Sequence, residues 1–256
     1  MQRKNRCKLS QACIEVCPNG AIGWRAGPII NWEKCDQCGN CAEACLAGGL
    51  ELVGRYVTAD QVMAEVLRDV PFYDQSGGGV TFTGGEPMLQ VELLRETLLL
   101  CKAHHIHTAV DTSGHTSWEN FQSIYPLVDL FLYDVKLIEN HQHIKYTSVS
   151  NKLILDNLHK LAEAGAHIIV RLPLIPGIND DEENIELCAA AMTTLPTLEG
   201  IEVMPYHTIG TAKYKALGLE YKLENVQPPS DEQVEKVEQK LSSHGLAVIK
   251  HQGRAL

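Results

Sequence analysis

Seven of the nine cysteines fall within the first 45 residues, and their spacing leaves few folds open. The second group runs Cys35-x2-Cys38-x2-Cys41-x3-Cys45. Three thiolates at that spacing share one tight loop and can hold three corners of a cubane. The fourth, on the helix that follows, reaches a different cluster. The first group, Cys7, Cys13 and Cys17 followed by Pro18, repeats the pattern with Ser10 in the second ligand position. Zinc is the competing reading of closely spaced cysteines. Zinc sites, however, use separated Cys-x2-Cys knuckles and have no need for a third cysteine on the same loop. The doubled pattern therefore predicts iron–sulfur and redox chemistry.

The bulk numbers narrow the class further. A chain of 256 residues fits one large domain, or a medium domain plus a small one. With 22 basic against 32 acidic residues the net charge is -10, which argues against a nucleic-acid partner. No run of about 18 apolar residues exists, so no membrane span is expected. The opening residues are basic but lack the apolar segment of a signal peptide. Cysteines in metal-type spacing argue against a secreted disulfide framework. The cytoplasm of an anaerobic cell is the expected setting.

Residues 1–54 read as a two-cluster ferredoxin-like unit. Each half offers a cysteine loop, a short helix (Ile14 to Val16; Ala42 to Ala44) and a small apolar strand (Ala21-Ile22; Leu50 to Val53). In such units the fourth cysteine crosses over. Cys35, Cys38 and Cys41 with Cys17 then hold one cluster, and Cys7, Cys13 and Cys45 with position 10 the other. Ser10 leaves the second cluster three-iron, serine-ligated or unstable.

Residues 55–256 alternate helix and strand. Thr58-x-x-Gln61 and Ser230-x-x-Gln233 are capping boxes that open helices. Strands are expected over Gly79 to Thr83, His107 to Asp111, Val128 to Val135, His167 to Leu172, Ile201 to Met204 and Leu246 to Ile249. Strands separated by helices of about 10–15 residues predict parallel βα units and an α/β fold. Cys101 and Cys188 are lone helix cysteines and are expected to pack as small apolar groups.

In a barrel of such units, function sits on the loops at the C-terminal strand ends. Those loops carry Gly84-Gly85-Glu86-Pro87, Asp111-Thr112-Ser113-Gly114, Asp134-Val135-Lys136, Arg171 with Pro176-Gly177, and Pro205-Tyr206-His207. Any one of them has a bland explanation as a turn, a cap or a surface ion pair. Five on one rim point to a binding site.

With these segments in view, the chain resembles the glycyl-radical-enzyme activating enzymes of the radical S-adenosylmethionine (SAM) superfamily. The carrying segments are 76–87, 107–114, 128–136, 168–180 and 204–214. The resemblance implies a partial TIM-like (β/α)6 barrel lacking its first strand, behind the ferredoxin-like unit. It implies 4Fe-4S clusters, SAM, a monovalent cation, a glycyl radical enzyme as protein substrate, and a flavodoxin or ferredoxin-type electron donor. The chemistry implied is abstraction of a hydrogen atom from a backbone glycine of the partner. It places Gly84, Gly85, Glu86 and Pro87 at the methionyl amine and Lys136 at the methionyl carboxylate. Asp111, Thr112 and Asp134 match the cation site, and Arg171 and His207 the ribose and adenine end.

One departure is large. The family's defining Cys-x3-Cys-x2-Cys does not occur in this chain, so no catalytic cysteine is assigned. The expectation is an N-terminally truncated family member that binds the auxiliary clusters and cleaves SAM poorly by itself. The alternative is a ferredoxin-type electron-transfer protein with a vestigial barrel.

Overall fold

The computed structural model describes residues 1–250; residues 251–256, the last of the 55–256 segment, lie outside the described residues. The chain opens with α1 (Ala12–Glu15), a hairpin of β1 (Ile22–Trp24) and β2 (Pro28–Ile30), and α2 (Asn40–Glu43). Then come α3 (Ala59–Val66), α4 (Val70–Ser76), β3 (Gly79–Phe82), α5 (Val91–Ala103), β4 (His107–Thr112) and α6 (Trp118–Ile124). These are followed by β5 (Leu130–Asp134), α7 (Asn140–Thr147), α8 (Lys152–Glu163), β6 (Ile168–Leu174) and α9 (Glu182–Met192). The chain closes with β7 (Leu198–Pro205), α10 (Thr211–Leu217), α11 (Asp231–Ser243) and β8 (Val248–Ile249).

Strands β3 to β8 form one parallel sheet in sequence order, the product of successive βα units. Both capping boxes form: Thr58 and Ser230 accept from the backbones of Gln61 and Gln233, whose side chains reach back. One expectation is corrected and two elements are new. The Leu50 to Val53 strand is reduced to a bridge between Leu50 and Gln2. The strand begun at Ile22 pairs with β2, which the sequence did not announce. Between Asp134 and Ile154 lies α7, also unexpected, its start capped by the Glu139 side chain.

Residues group into two compact units. The first comprises Met1–Tyr56 and also takes in His207–Val226. The second runs over Val57–Tyr206 and from Gln227 onward. In the first, Gln2 N donates to Ala216 O at 2.7 Å, and Cys13, Ile22 and Leu50 form a small core.

The second unit's sheet has two unlike faces. Because side chains alternate along a strand, Phe131, Tyr133 and Val135 of the β5 segment point to one face, and Leu132, Asp134 and Lys136 to the other. Val170 and Leu172 of β6 share the first face, Arg171 the second. The first face is apolar apart from the buried Thr108 and Thr112 of β4, and it merges with Leu158 and Leu161 of α8 and Cys188 of α9 in a single core. The second face carries the charged row described below.

Cys101 and Cys188 are both fully buried, as packing residues should be. Burial pushes the Cys188 thiol up to about 12 from an ordinary 9.0. Its folded-state pKa is thus raised, so its contribution to stability is full below pH 9 and fades as pH rises towards 12. Urea unfolding at pH 8 and pH 10.5 should therefore show a larger alkaline loss for the parent than for Cys188→Ala. Equal losses would contradict this.

Candidate functional site

In the first unit the two cysteine loops have the same backbone. Gln37 and Gly39, on either side of Cys38, are left-handed at φ 60° and 87°. Leu9 and Gln11, on either side of Ser10, are both left-handed at φ 60°. Leu9, Gln11 and Gln37 hold a conformation that non-glycine residues adopt at a cost of about 1–2 kcal/mol each. The correspondence continues: Ala21 N donates to Cys17 Sγ at 3.2 Å, and Gly49 N to Cys45 Sγ at 3.1 Å. The Ser10 loop is therefore shaped as the Cys38 loop is, despite its missing thiol.

A cavity of 240 Å³ is lined by Cys17, Cys35, Cys38 and Cys41, with Ile22 and Leu50 among its apolar walls. That quartet joins three cysteines of the second group to the last of the first. Burial pushes the Cys41 thiol up, and the charges of Cys35, Cys17 and Cys38 add to it. Burial likewise raises Cys13, with Cys45, Cys41 and Cys7 adding. No three His, Cys, Asp or Glu side chains among the described residues are gathered tightly enough for a single metal ion. Zinc binds sulfur at about 2.3 Å and needs thiols converging on a point. These thiols instead line one cavity, with room for a group larger than a single ion.

In the second unit the parallel register lines up the strand ends. Asp111 faces Leu132 across β4 and β5, Asp134 faces Arg171 across β5 and β6, and Arg171 faces Glu202 across β6 and β7. Arg171 Nη1 donates to Asp111 Oδ2 at 2.7 Å, and Thr83 Oγ1 donates to the same oxygen at 3.0 Å. Arg171 Nε lies 3.5 Å from Glu202 Oε2 yet has no hydrogen-bond partner. Lys136 Nζ pairs with Asp134 Oδ2 at 2.9 Å, with both side chains partly exposed. The row is thus three carboxylates and two cations, half-buried on one edge of the sheet.

Glu86 ties two of the rim loops together. Its Oε1 accepts from Thr112 Oγ1 at 2.7 Å and from Met88 N at 3.2 Å. Its Oε2 accepts from Ser113 N at 2.8 Å and Ser113 Oγ at 2.6 Å. The Gly84-Gly85 backbone, held by this tie, borders open space: a Cβ on either glycine would meet nothing within 4 Å. Asn179, buried, donates through Nδ2 to Lys136 O at 2.9 Å and to Pro173 O at 2.5 Å. It thereby fixes the loop that presents Lys136.

Nine of the expected rim residues, Gly84 to Pro87, Asp111, Thr112, Asp134, Lys136 and Arg171, belong to the second unit, and His207 to the first. Sequence reading gave no role to Thr83, Asn179 and Glu202, and placed Ser113 on the rim without a role of its own. The signal for Glu202 was present, as a carboxylate inside an apolar strand; the other three are ordinary loop residues until folded. Asp111, expected to bind a cation, already shares Oδ2 with a guanidinium, so an added cation would have to use the other oxygen.

Comparison with known proteins identifies the family. The Radical SAM superfamily model matches residues 33–188. The chain is 38% identical over 240 residues to the trans-4-hydroxy-L-proline dehydratase activating enzyme of Clostridioides difficile, covering 93% of this chain and 80% of that one. It is 35% identical to the choline trimethylamine-lyase activating enzyme of Oleidesulfovibrio alaskensis, covering 98% and 84%. A domain of a pyruvate-formate lyase-activating enzyme from Bacteroides vulgatus superposes with a TM-score of 0.58 at 35% identity. That match covers 68% of this chain and 99% of the domain.

Proposed function

The chain belongs to the radical SAM superfamily and, within it, to the activating enzymes of glycyl radical enzymes, and from that premise we propose that it serves to take a hydrogen atom from a backbone glycine of such a partner. Radical SAM family membership carries a 4Fe-4S cluster and SAM. When bound, these supply the one-electron cleavage that produces the hydrogen-abstracting group; the protein supplies orientation and exclusion of water.

This chain's residues divide the work as follows. The Gly84-Gly85 backbone, open to a ligand and free of Cβ atoms, receives the methionyl amine, and Pro87 stiffens the turn that Glu86 anchors. Lys136 meets the methionyl carboxylate as a compact cation, released from or shared with Asp134. Asp111, Thr112 and Asp134 offer oxygens to a monovalent cation. Arg171 faces the ribose and adenine end. The observation that most supports this reading is the charged row Asp111, Asp134, Arg171 and Glu202, which register places on a single sheet edge.

We read residues 1–54 as a ferredoxin-like domain. Its first cluster is held by Cys17, Cys35, Cys38 and Cys41, and its second by Cys7, Cys13 and Cys45. We read the second unit as a partial (β/α)6 barrel. A flavodoxin- or ferredoxin-type protein in the cytoplasm is the electron source. Among the described residues no helix is long and apolar enough to cross a membrane. Lacking Cys-x3-Cys-x2-Cys, this chain by itself cleaves SAM poorly.

Calorimetric titration of SAM into the anaerobically reconstituted chain tests the assignment. Lys136→Ala should weaken binding about tenfold, near 1.4 kcal/mol, with iron content unchanged. Equal affinity would remove Lys136 from the site. Clusters that reduce normally in a chain with no affinity for SAM would favour the electron-transfer alternative. More than one equivalent of 5′-deoxyadenosine per chain would contradict the poor-cleavage reading.

A further inference from the structure

We propose that the exposed basic face of Lys4, Arg6 and Lys8, beside Cys7, is the docking surface for an acidic one-electron carrier protein that reduces the cluster of Cys7, Cys13 and Cys45. The inference rests on the reading of those thiols as cluster ligands and of a protein electron donor as partner.

Charge is divided unevenly along the chain. The first unit has ten basic against seven acidic residues, while the remainder has twelve against twenty-five. The basic excess is concentrated at one place. Arg3, Lys4, Arg6 and Lys8 all lie in the first ten residues, with no acidic residue among them, and all four are exposed. Arg3 is committed to Glu51, its Nε 2.5 Å from Oε2. Lys4, Arg6 and Lys8 enter none of the ion pairs found among the described residues. Three cations are therefore left facing solvent.

These cations stand next to the thiols. Lys4–Arg6 is a single helical turn that runs directly into Cys7. Arg6 lies over the loop after Cys45, since a Cβ on Gly48 would sit 3.7 Å from its Nη1. A Cβ on Gly49 would sit 3.0 Å from Cys7 Cα, so the Cys7 and Cys45 loops touch. Leu9 and Leu46, flanking Ser10 and Cys45, are 59% and 101% exposed. Apolar side chains beside ligand positions, rimmed by unpaired cations, suit a small and transient electron-transfer contact. An acidic carrier would be steered there at a rate that falls with salt. One electron leaves the reduced carrier, oxidising it by one unit, and enters the cluster; no bond is made or broken.

The test uses the full reconstituted chain with a reduced flavodoxin as probe, and photoreduced deazariboflavin as a small reductant that needs no docking. Lys4→Glu/Arg6→Glu/Lys8→Glu should slow cluster bleaching by flavodoxin, and weaken calorimetric binding, at least tenfold at low ionic strength. The difference should shrink at high salt, and the rate with deazariboflavin should be unchanged. An equal charge change at the exposed residues Arg25, Lys34 and Arg55, nearer the Cys35 group in sequence, should leave both readings near the parent's.

A first-face variant that is reduced as fast as the parent, or a second variant slowed as much as the first, overturns the docking site and leaves the partner reading standing. A parent chain reduced by deazariboflavin but neither bound nor reduced by flavodoxin overturns the partner reading and the site with it. Salt-sensitive self-association of the parent in sedimentation, abolished by the first variant, would assign the face to a second copy and overturn the proposal.

Discussion

Glu86→Gln is expected to destabilise the second unit by about 2–3 kcal/mol, the range for losing hydrogen bonds to a charged acceptor. The reason is the count of donors. Both carboxylate oxygens accept, Oε1 from Thr112 Oγ1 and Met88 N, Oε2 from Ser113 N and Ser113 Oγ. An amide offers one acceptor oxygen, and whichever way it is turned its NH2 faces groups that also donate. The hydroxyl it faces can turn to accept, but the backbone N–H beside that hydroxyl, Met88 N or Ser113 N, is left facing a donor. The melting temperature should fall by about 5–10 °C at this chain length. SAM affinity should fall as well, because the Gly84-Gly85 turn is no longer tied to the Asp111–Gly114 loop. Glu86→Asp, which keeps both acceptors on a shorter arm, should recover part of the loss. A glutamine variant with the parent's melting temperature would show that the tie is incidental.

Gly114→Ala should be the more damaging substitution, by about 4 kcal/mol or more. Gly114 has φ 73°, and a Cβ there would lie 1.9 Å from the Tyr133 hydroxyl and 2.2 Å from the ring carbon that bears it. Tyr133 cannot yield. It is fully buried on the apolar face, and its hydroxyl donates to Ile154 O at 2.7 Å. Burial, then the charge of Glu86, then that of Asp156, raises its pKa well above the ordinary 10.0, so it stays a neutral donor. Gly114 O meanwhile accepts from the buried Asn157 Nδ2 at 3.0 Å, so the loop cannot move away without breaking one of the two bonds that amide donates, the other going to Thr116 O at 2.8 Å. A double-mutant cycle with Tyr133→Ala separates clash from backbone strain. The second substitution should cost less in the Gly114→Ala background than in the parent, because it relieves the overlap. Additive losses would mean that the left-handed φ alone carries the effect.

The order and type of most elements could be read from the chain because local signals are strong there. Two capping boxes, the glycine after Ala164 and short β-rich runs mark the βα units, and the rim follows from parallel strands. The cysteine spacing also proposes a crosswise sharing of ligands, and Cys17 lines the same cavity as Cys35, Cys38 and Cys41. The unread parts depend on distance in space. Nothing local tells that Arg171 will spend its guanidinium on Asp111, sixty residues earlier. Nor does sequence mark Asn179 as the clamp on the Lys136 loop, or separate Ser113 from any other loop serine. The β2 strand escaped because three residues beginning with proline carry no period.

Electron paramagnetic resonance of the reduced, reconstituted chain tests most directly whether the two cysteine groups share their clusters crosswise. Cys17→Ala is expected to remove the same signal that Cys38→Ala removes, and to spare the one lost in Cys7→Ala. Cys45→Ala should instead match Cys7→Ala. If Cys17→Ala removes the Cys7 signal, each group holds its own cluster, and the cavity of Cys17, Cys35, Cys38 and Cys41 is not the cofactor site.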